Sequence, residues 1–281
     1  MLSIKKDGVS LAYEEINRLE INQNVSSILF VHGWGFDHTA FAPQANFFSR
    51  SHRIVSVDLR GHGKSDAPEQ DYTMSAYADD LAWLCTELGL EKPVVVGHSM
   101  GGNVTLELAA RHPEIPASIV MIDSVVFPSL EFREALKPVS EVLNTPDYVA
   151  SGQNVLRSVC LPMEEEPLRT DILSSWPKAP QHVLASTFRN HLLSYDSTDA
   201  AANCHLPIAY VGGAFALADL PRFRNLTPQL VTAQVLGAGH FSQLFVPDQI
   251  NAMITRFVTI CSSASTESGW VKETQLDLRA A

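Results

Sequence analysis

The sequence predicts an α/β fold built on a mostly parallel sheet, and three observations carry that prediction. Short apolar runs of strand length recur along the chain. Helical periodicity separates them. A serine flanked by glycines, Gly97-His98-Ser99-Met100-Gly101-Gly102, stands between one such run and a helical pattern. Residues 9–15 alternate apolar and polar and read as an edge strand. Residues 27–31 and 53–58 are continuous apolar runs, as buried parallel strands require. Residues 74–88 place Tyr77, Leu81, Leu84 and Leu88 at helical steps. Val94-Val95-Val96 leads into the serine turn, a helix over 101–111 and a further strand over 117–123. Residues 125–205 lack strand-like runs and carry helical patterns broken by prolines. Strands resume over 207–213 and 232–236, and a helix closes over 247–257.

The simplest organisation is one core, residues 1–124 and 206–261, interrupted by a helical cap at 125–205. The cap is expected to sit over the carboxyl ends of the strands. The tail at 262–281, polar and rich in small residues, is expected to be poorly ordered.

With 281 residues, 46% of them hydrophobic, the chain is long enough for one sizeable core. It has no apolar run of about 18 residues and no signal-peptide core near Met1. Four scattered cysteines (Cys85, Cys160, Cys204, Cys261) read as reduced thiols, which favours a cytoplasmic location over a disulfide framework or a zinc site. The formal net charge of −11 argues against nucleic acid or an anionic membrane as partner. A small molecule is the expected substrate.

A G-x-S-x-G turn between strand and helix holds its serine in strained backbone, with Ser99 as candidate nucleophile. A serine hydroxyl needs a base and an orienting acid. His240, in Gly239-His240-Phe241 after the last strand, is the candidate base. An oxyanion needs two preorganised N–H donors. Met100 N–H directly follows the nucleophile, and Trp34 N–H lies in the loop His32-Gly33-Trp34-Gly35 after the second strand. His32 is expected to fix that loop.

Four segments occur together in order: His32-Gly33-Trp34-Gly35, residues 58–65 (Asp-Leu-Arg-Gly-His-Gly-Lys-Ser), Gly97 to Gly102, and Gly239-His240-Phe241. In this the chain resembles the α/β-hydrolase-fold serine hydrolases. It is similar to pimeloyl-carrier-protein methyl ester esterases and other small carboxylesterases. The resemblance implies an eight-stranded core with helices on both faces, a cap, hydrolysis of a small carboxylic ester or lactone, and neither cofactor nor metal. It makes Asp58 structural. The family usually carries its acid shortly after the seventh strand, where this chain reads Gly212-Gly213-Ala214-Phe215 and reaches an aspartate only at Asp219. Asp123, at the end of the sixth strand, is the preferred acid and Asp219 the competitor; an aspartate at 219 also suits a helix N-cap.

Two further readings share the fold. Cofactor-independent dioxygenases of N-heteroaromatic rings have a similar Gly-Trp loop, Ser and His and an acid after the sixth strand, as Asp123 is, but carry a histidine where this chain has Phe36. A non-catalytic ligand receptor is the other. The Glu164-Glu165-Glu166 run reads as solvated surface. Phe127, Phe132, Trp176, Phe188 and Leu192 suit either an acyl pocket or the cap's own packing.

Overall fold

A computed structural model describes residues 1–17, 26–162, 164–215 and 217–264. Its eight strands form one sheet in the order β1-β2-β4-β3-β5-β6-β7-β8. They are β1 (Leu2–Lys6), β2 (Val9–Ile16), β3 (Ile28–Val31), β4 (Ile54–Val57), β5 (Val94–His98), β6 (Ser118–Ile122), β7 (Ile208–Gly212) and β8 (Leu230–Gln234). Only the β1–β2 and β2–β4 pairs are antiparallel. The mostly parallel α/β fold expected from the sequence is therefore present.

Residues 9–15 do not form the sheet edge. β1 covers β2, and the two are joined by Asp7-Gly8 with φ of 50° and 83°. Both turn residues are left-handed, as a two-residue hairpin favours. β1 is largely exposed, so no buried face marks it in the sequence. The last strand lies two residues earlier than expected, at Leu230–Gln234.

The helices are α1 (Ala42–Phe48), α2 (Met74–Glu87), α3 (Met100–Arg111), α4 (Leu130–Val142), α5 (Tyr148–Ser158), α6 (Glu166–Ser175), α7 (Gln181–Phe188), α8 (Thr198–Asn203), α9 (Leu220–Leu226), α10 (Ser242–Phe245) and α11 (Pro247–Ala264). Alternate strand residues explain the two-sided burial. Leu29, Val31, Val55, Val57, Val95 and Ile119 pack with Tyr77, Leu81, Val104 and Leu108 of α2 and α3. Ile28, Phe30, Ile54, Val94, Val96 and Val120 pack with Phe41, Ala45, Ile250 and Ile254 on the side of α1 and α11. A strand buried on both faces shows a continuous apolar run, which is why these strands are legible.

α4 to α8 fill the connection between β6 and β7, and α8 lies against α3 and α9. α11 continues to residue 264, past the expected end at 257. The tail expected to be poorly ordered lies, from residue 265 onward, outside the described residues. Among the described residues, no helix is long and apolar enough to cross a membrane.

The chain passes from β3 outward to β4 and then returns across β3 to β5, so the order reverses at β3. Open parallel sheets bind ligands in the crevice at the carboxyl ends beside such a reversal. The loops after β3 and β5 are those that carry Trp34 and Ser99.

Candidate active site

β5 ends at His98 and α3 begins at Met100, so the turn between them is one residue, Ser99, at φ 54° and ψ −119°. A β-carbon on Gly97 would lie 2.3 Å from the Gly101 carbonyl oxygen, and one on Gly101 would lie 2.2 Å from that of Val31. Any larger residue would push α3 off β3 or β5. Backbone strain at a residue such as Ser99 costs about 1–3 kcal/mol. It is held by Ser99 N–H donating to Ile122 O (2.9 Å) and Gly102 N–H donating to Ser99 O (3.0 Å).

Ser99 Oγ lies 2.9 Å from His240 Nε2, and His240 Nδ1 lies 2.8 Å from Asp123 Oδ2. All three residues are buried. The carboxylate can only accept, so Nδ1 carries the proton and Nε2 accepts from the serine hydroxyl. Asp123 directly follows β6 at φ 44°, and its N–H continues the ladder to Val211 O (2.8 Å). Its second oxygen accepts from Gly213 N–H at 2.9 Å, which fixes the carboxylate plane. Asp219 does not reach the site. It is exposed and caps α9, with Oδ1 accepting from Arg222 N–H at 3.1 Å.

Gly33 packs against Ser99: a β-carbon there would lie 3.2 Å from Ser99 Cβ. The next peptide, that of Trp34, is tethered from above. Trp34 Nε1–H donates to Leu184 O on α7 (3.0 Å), and the Trp176 indole donates to Trp34 O (3.3 Å). The indole of Trp34 packs between Trp176 and Phe188. Those two aromatics therefore serve packing. Met100 N–H is in the first turn of α3 and has no carbonyl of its own helix to reach. His32 locks the loop beneath, donating from Nδ1 to Gly33 O (2.8 Å) and accepting Leu59 N–H at Nε2 (3.0 Å). Asp58 accepts from His38 N–H and Nδ1 and from Lys64 N–H. Burial pushes its carboxyl up, yet these bonds and the neighbouring imidazoles hold it below the ordinary range.

Two supports of His240 are not anticipated by the sequence. His98 Nε2–H donates to His240 O at 2.8 Å. Glu164, expected on a solvated surface, is instead buried. Its two oxygens accept from Gly239 N–H and Leu161 N–H, both at 2.7 Å. A buried carboxylate requires such donors. His240 N–H in turn donates to Val159 O (3.2 Å). The α5–α6 connection thus holds the His240 loop. The pattern Glu-Glu-Glu conceals this, because only the first of the three points inward.

Ser99 and His240 open onto a cavity of about 710 Å³, counting its solvent-open mouth. Phe36, Phe132, Leu136, Val155, Leu192 and Phe241 are among its apolar walls, and no lysine or arginine lines it among the described residues. His191 also lines it.

Burial drives the imidazoles of His32 and His98 below their ordinary range, and those of His62 and His191 to about 3. A group whose folded value is depressed stabilises the fold above its unfolded value, 6.5 here. That stability is lost as pH falls from there toward about 3, because the unfolded chain binds protons that the folded chain refuses. The thermal midpoint is therefore expected to fall steadily below about pH 6.5. His62→Phe, at a residue that does not line the Ser99 cavity, is expected to make that fall shallower. An unchanged slope in this variant, measured by calorimetry from pH 7.5 to 5, would count against the neutral imidazole.

The model of the alpha/beta hydrolase fold family matches residues 27–247. The chain is 27% identical to the 2-(acetamidomethylene)succinate hydrolase of Mesorhizobium japonicum, covering 87% of this chain and 93% of that one. It is 35% identical to the bifunctional esterase/perhydrolase of Acinetobacter calcoaceticus over 46% of each chain. Among solved structures, a thermophilic esterase from Thermogutta terrifontis superposes with a TM-score of 0.78 at 26% identity, over 92% of this chain and 97% of that one. With the sheet order, the one-residue turn at Ser99 and this match to most of the chain, the protein belongs to the alpha/beta hydrolase fold family.

Proposed function

We propose that the protein is a carboxylic-ester hydrolase working through an acyl-enzyme on Ser99. The observation that carries this reading is the hydrogen-bonded chain Ser99–His240–Asp123 at the wall of an apolar cavity. Ser99 Oγ attacks the ester carbonyl while His240 Nε2 takes its proton. The oxyanion is stabilised by the N–H groups of Trp34 and Met100. Asp123 keeps the imidazole tautomer and stabilises the imidazolium. Collapse of the tetrahedral adduct breaks the bond to the alcohol, which leaves with the proton from Nε2. A water then attacks the acyl-enzyme, gives a proton to Nε2, and restores the serine as the acid departs.

The lining selects an uncharged chain. The Mesorhizobium relative is named for a substituted succinate, and a succinate carries two carboxylates. Here the cavity offers neither lysine nor arginine among the described residues, and a carboxylate buried without a partner is strongly disfavoured. The substrate is thus a small neutral ester or lactone, with no cofactor, in a chain whose charge of −11 disfavours nucleic acid. Its four scattered cysteines, with no C-x-x-C pair, suit the cytoplasm.

The test is turnover of p-nitrophenyl butyrate against p-nitrophenyl hemisuccinate. The butyrate is expected to be preferred by about 100-fold or more in kcat/KM, which is about 2.7 kcal/mol of discrimination. Equal rates would overturn the neutral-chain assignment. Absence of turnover, with no phosphonylation of Ser99 by a fluorophosphonate, would overturn the esterase itself. Oxygen uptake with a 3-hydroxy-4-quinolone would then favour a dioxygenase.

A further inference from the structure

The geometry points to His191 as a neutral hydrogen-bond donor inside the cavity, selecting a substrate whose buried chain carries an uncharged acceptor such as an ether, keto or amide oxygen. This deepens the ester-hydrolase reading and rests on it.

Four observations bring the imidazole to that role. His191 lies in a π-helical turn, Arg189–Leu193, that continues directly from α7. Such turns are rare, and the extra residue redirects side chains relative to an α-helix. The residue is 4% exposed and lines the same cavity as Ser99 and His240. Burial holds it neutral, with a value near 3, and His240 and Arg133 push the same way. The fourth observation settles which nitrogen bears the hydrogen. Asn103 Nδ2 lies 2.9 Å from Val125 O and 2.8 Å from His191 Nε2. A carbonyl only accepts, so the Asn103 amide nitrogen must face it. The second hydrogen of that nitrogen then goes to Nε2, which must be unprotonated. In a neutral imidazole the remaining hydrogen is on Nδ1. No described residue accepts from Nδ1.

The other side-chain donors of the wall are committed. Ser158 Oγ donates to Val155 O, and His98 Nε2 donates to His240 O. Ser99 and His240 belong to the reacting chain. Arg133, whose charge acts on His191, directs its guanidinium to the carbonyls of Leu192 and Tyr195. His191 is thus an uncharged donor with its hydrogen unspent in a mostly apolar cavity. It is suited to one acceptor oxygen and gives no ionic partner to a carboxylate.

The experiment compares p-nitrophenyl hexanoate with three analogues in which an ether oxygen replaces the methylene at C3, C4 or C5. Each ester is measured with wild type, His191→Phe and His191→Gln. The ratio of ether to alkyl kcat/KM, divided between wild type and variant, cancels the intrinsic reactivity of each ester. One ether position is expected to be favoured by about 3–10-fold in wild type, the worth of one net hydrogen bond. That preference is expected to vanish in His191→Phe, with the hexanoate rate changed far less. His191→Gln, which retains an N–H donor, is expected to recover part of it. Hexanoate turnover with no ether preference lost in His191→Phe overturns the role of His191 and leaves the esterase standing. Binding of ethyl hexanoate and its three ether analogues to Ser99→Ala protein, by calorimetry, reads the same preference without hydrolysis. Equal affinities in Ser99→Ala and in Ser99→Ala/His191→Phe overturn the inference even if no ester is hydrolysed.

Discussion

Ser99→Ala is expected to lower kcat for p-nitrophenyl butyrate by about 10⁴-fold or more, the scale on which a nucleophilic serine matters when base and oxyanion donors remain. The effect falls on kcat, with KM changed little, because the apolar walls that bind the chain are untouched. Loss of fold does not explain such a drop. Alanine keeps the β-carbon, so the backbone at φ 54° carries the same strain, and the thermal midpoint is expected to move by only a few degrees. Ser99→Gly separates the two effects further. It is expected to be equally inactive yet to gain up to about 1 kcal/mol, since glycine adopts this conformation without the steric cost. Steady-state kinetics and calorimetry on the two variants check both statements. Wild-type turnover by Ser99→Ala would remove the serine from the reaction.

The parts of this site that are legible in the sequence are those whose chemistry forces a local pattern. The one-residue turn at Ser99 needs glycine at 97 and 101, because the Gly101 and Val31 carbonyls leave no room for a β-carbon. The strands from β3 to β7 are buried on both faces and show as apolar runs. β1 is exposed and leaves only its Asp7-Gly8 turn as a signal. Glu164, His98 and His191 are hidden for a different reason. Each acts through contacts that the tertiary fold creates: Glu164 to Gly239, 75 residues away, His98 to His240 across 142, and His191 to Asn103 across 88. No local periodicity encodes such pairs. The choice between Asp123 and Asp219 is of the same kind. Both follow strand ends, and their loops are joined by a bridge between Val126 and Ala218. What separates them is the left-handed turn at Asp123, which brings its carboxylate to His240 while Asp219 is spent on a helix cap.

That separation makes the comparison of Asp123→Asn with Asp219→Asn decisive. In the wild type, Asp123 Oδ1 accepts from Gly213 N–H and Oδ2 accepts from His240 Nδ1–H. An asparagine amide has one oxygen and one NH₂. The Gly213 N–H claims the oxygen, so the NH₂ turns to His240. Nδ1 must then accept, which moves the ring hydrogen to Nε2, the nitrogen facing Ser99 Oγ. A protonated Nε2 has no lone pair for the serine proton. The shape of the site is kept and the base is lost, for an expected drop in kcat of about 10⁴-fold. Asp219→Asn presents the opposite case. Asparagine caps a helix as well as aspartate does, so the bond to Arg222 N–H survives. Activity is expected to stay within about twofold and stability within about 0.5 kcal/mol. Nitrogen-15 spectra of His240 give a second readout: the hydrogen is on Nδ1 in wild type and Asp219→Asn, and on Nε2 in Asp123→Asn. A large loss in Asp219→Asn with Asp123→Asn active would reassign the acid. Full activity in both variants would show that His240 works without a carboxylate behind it.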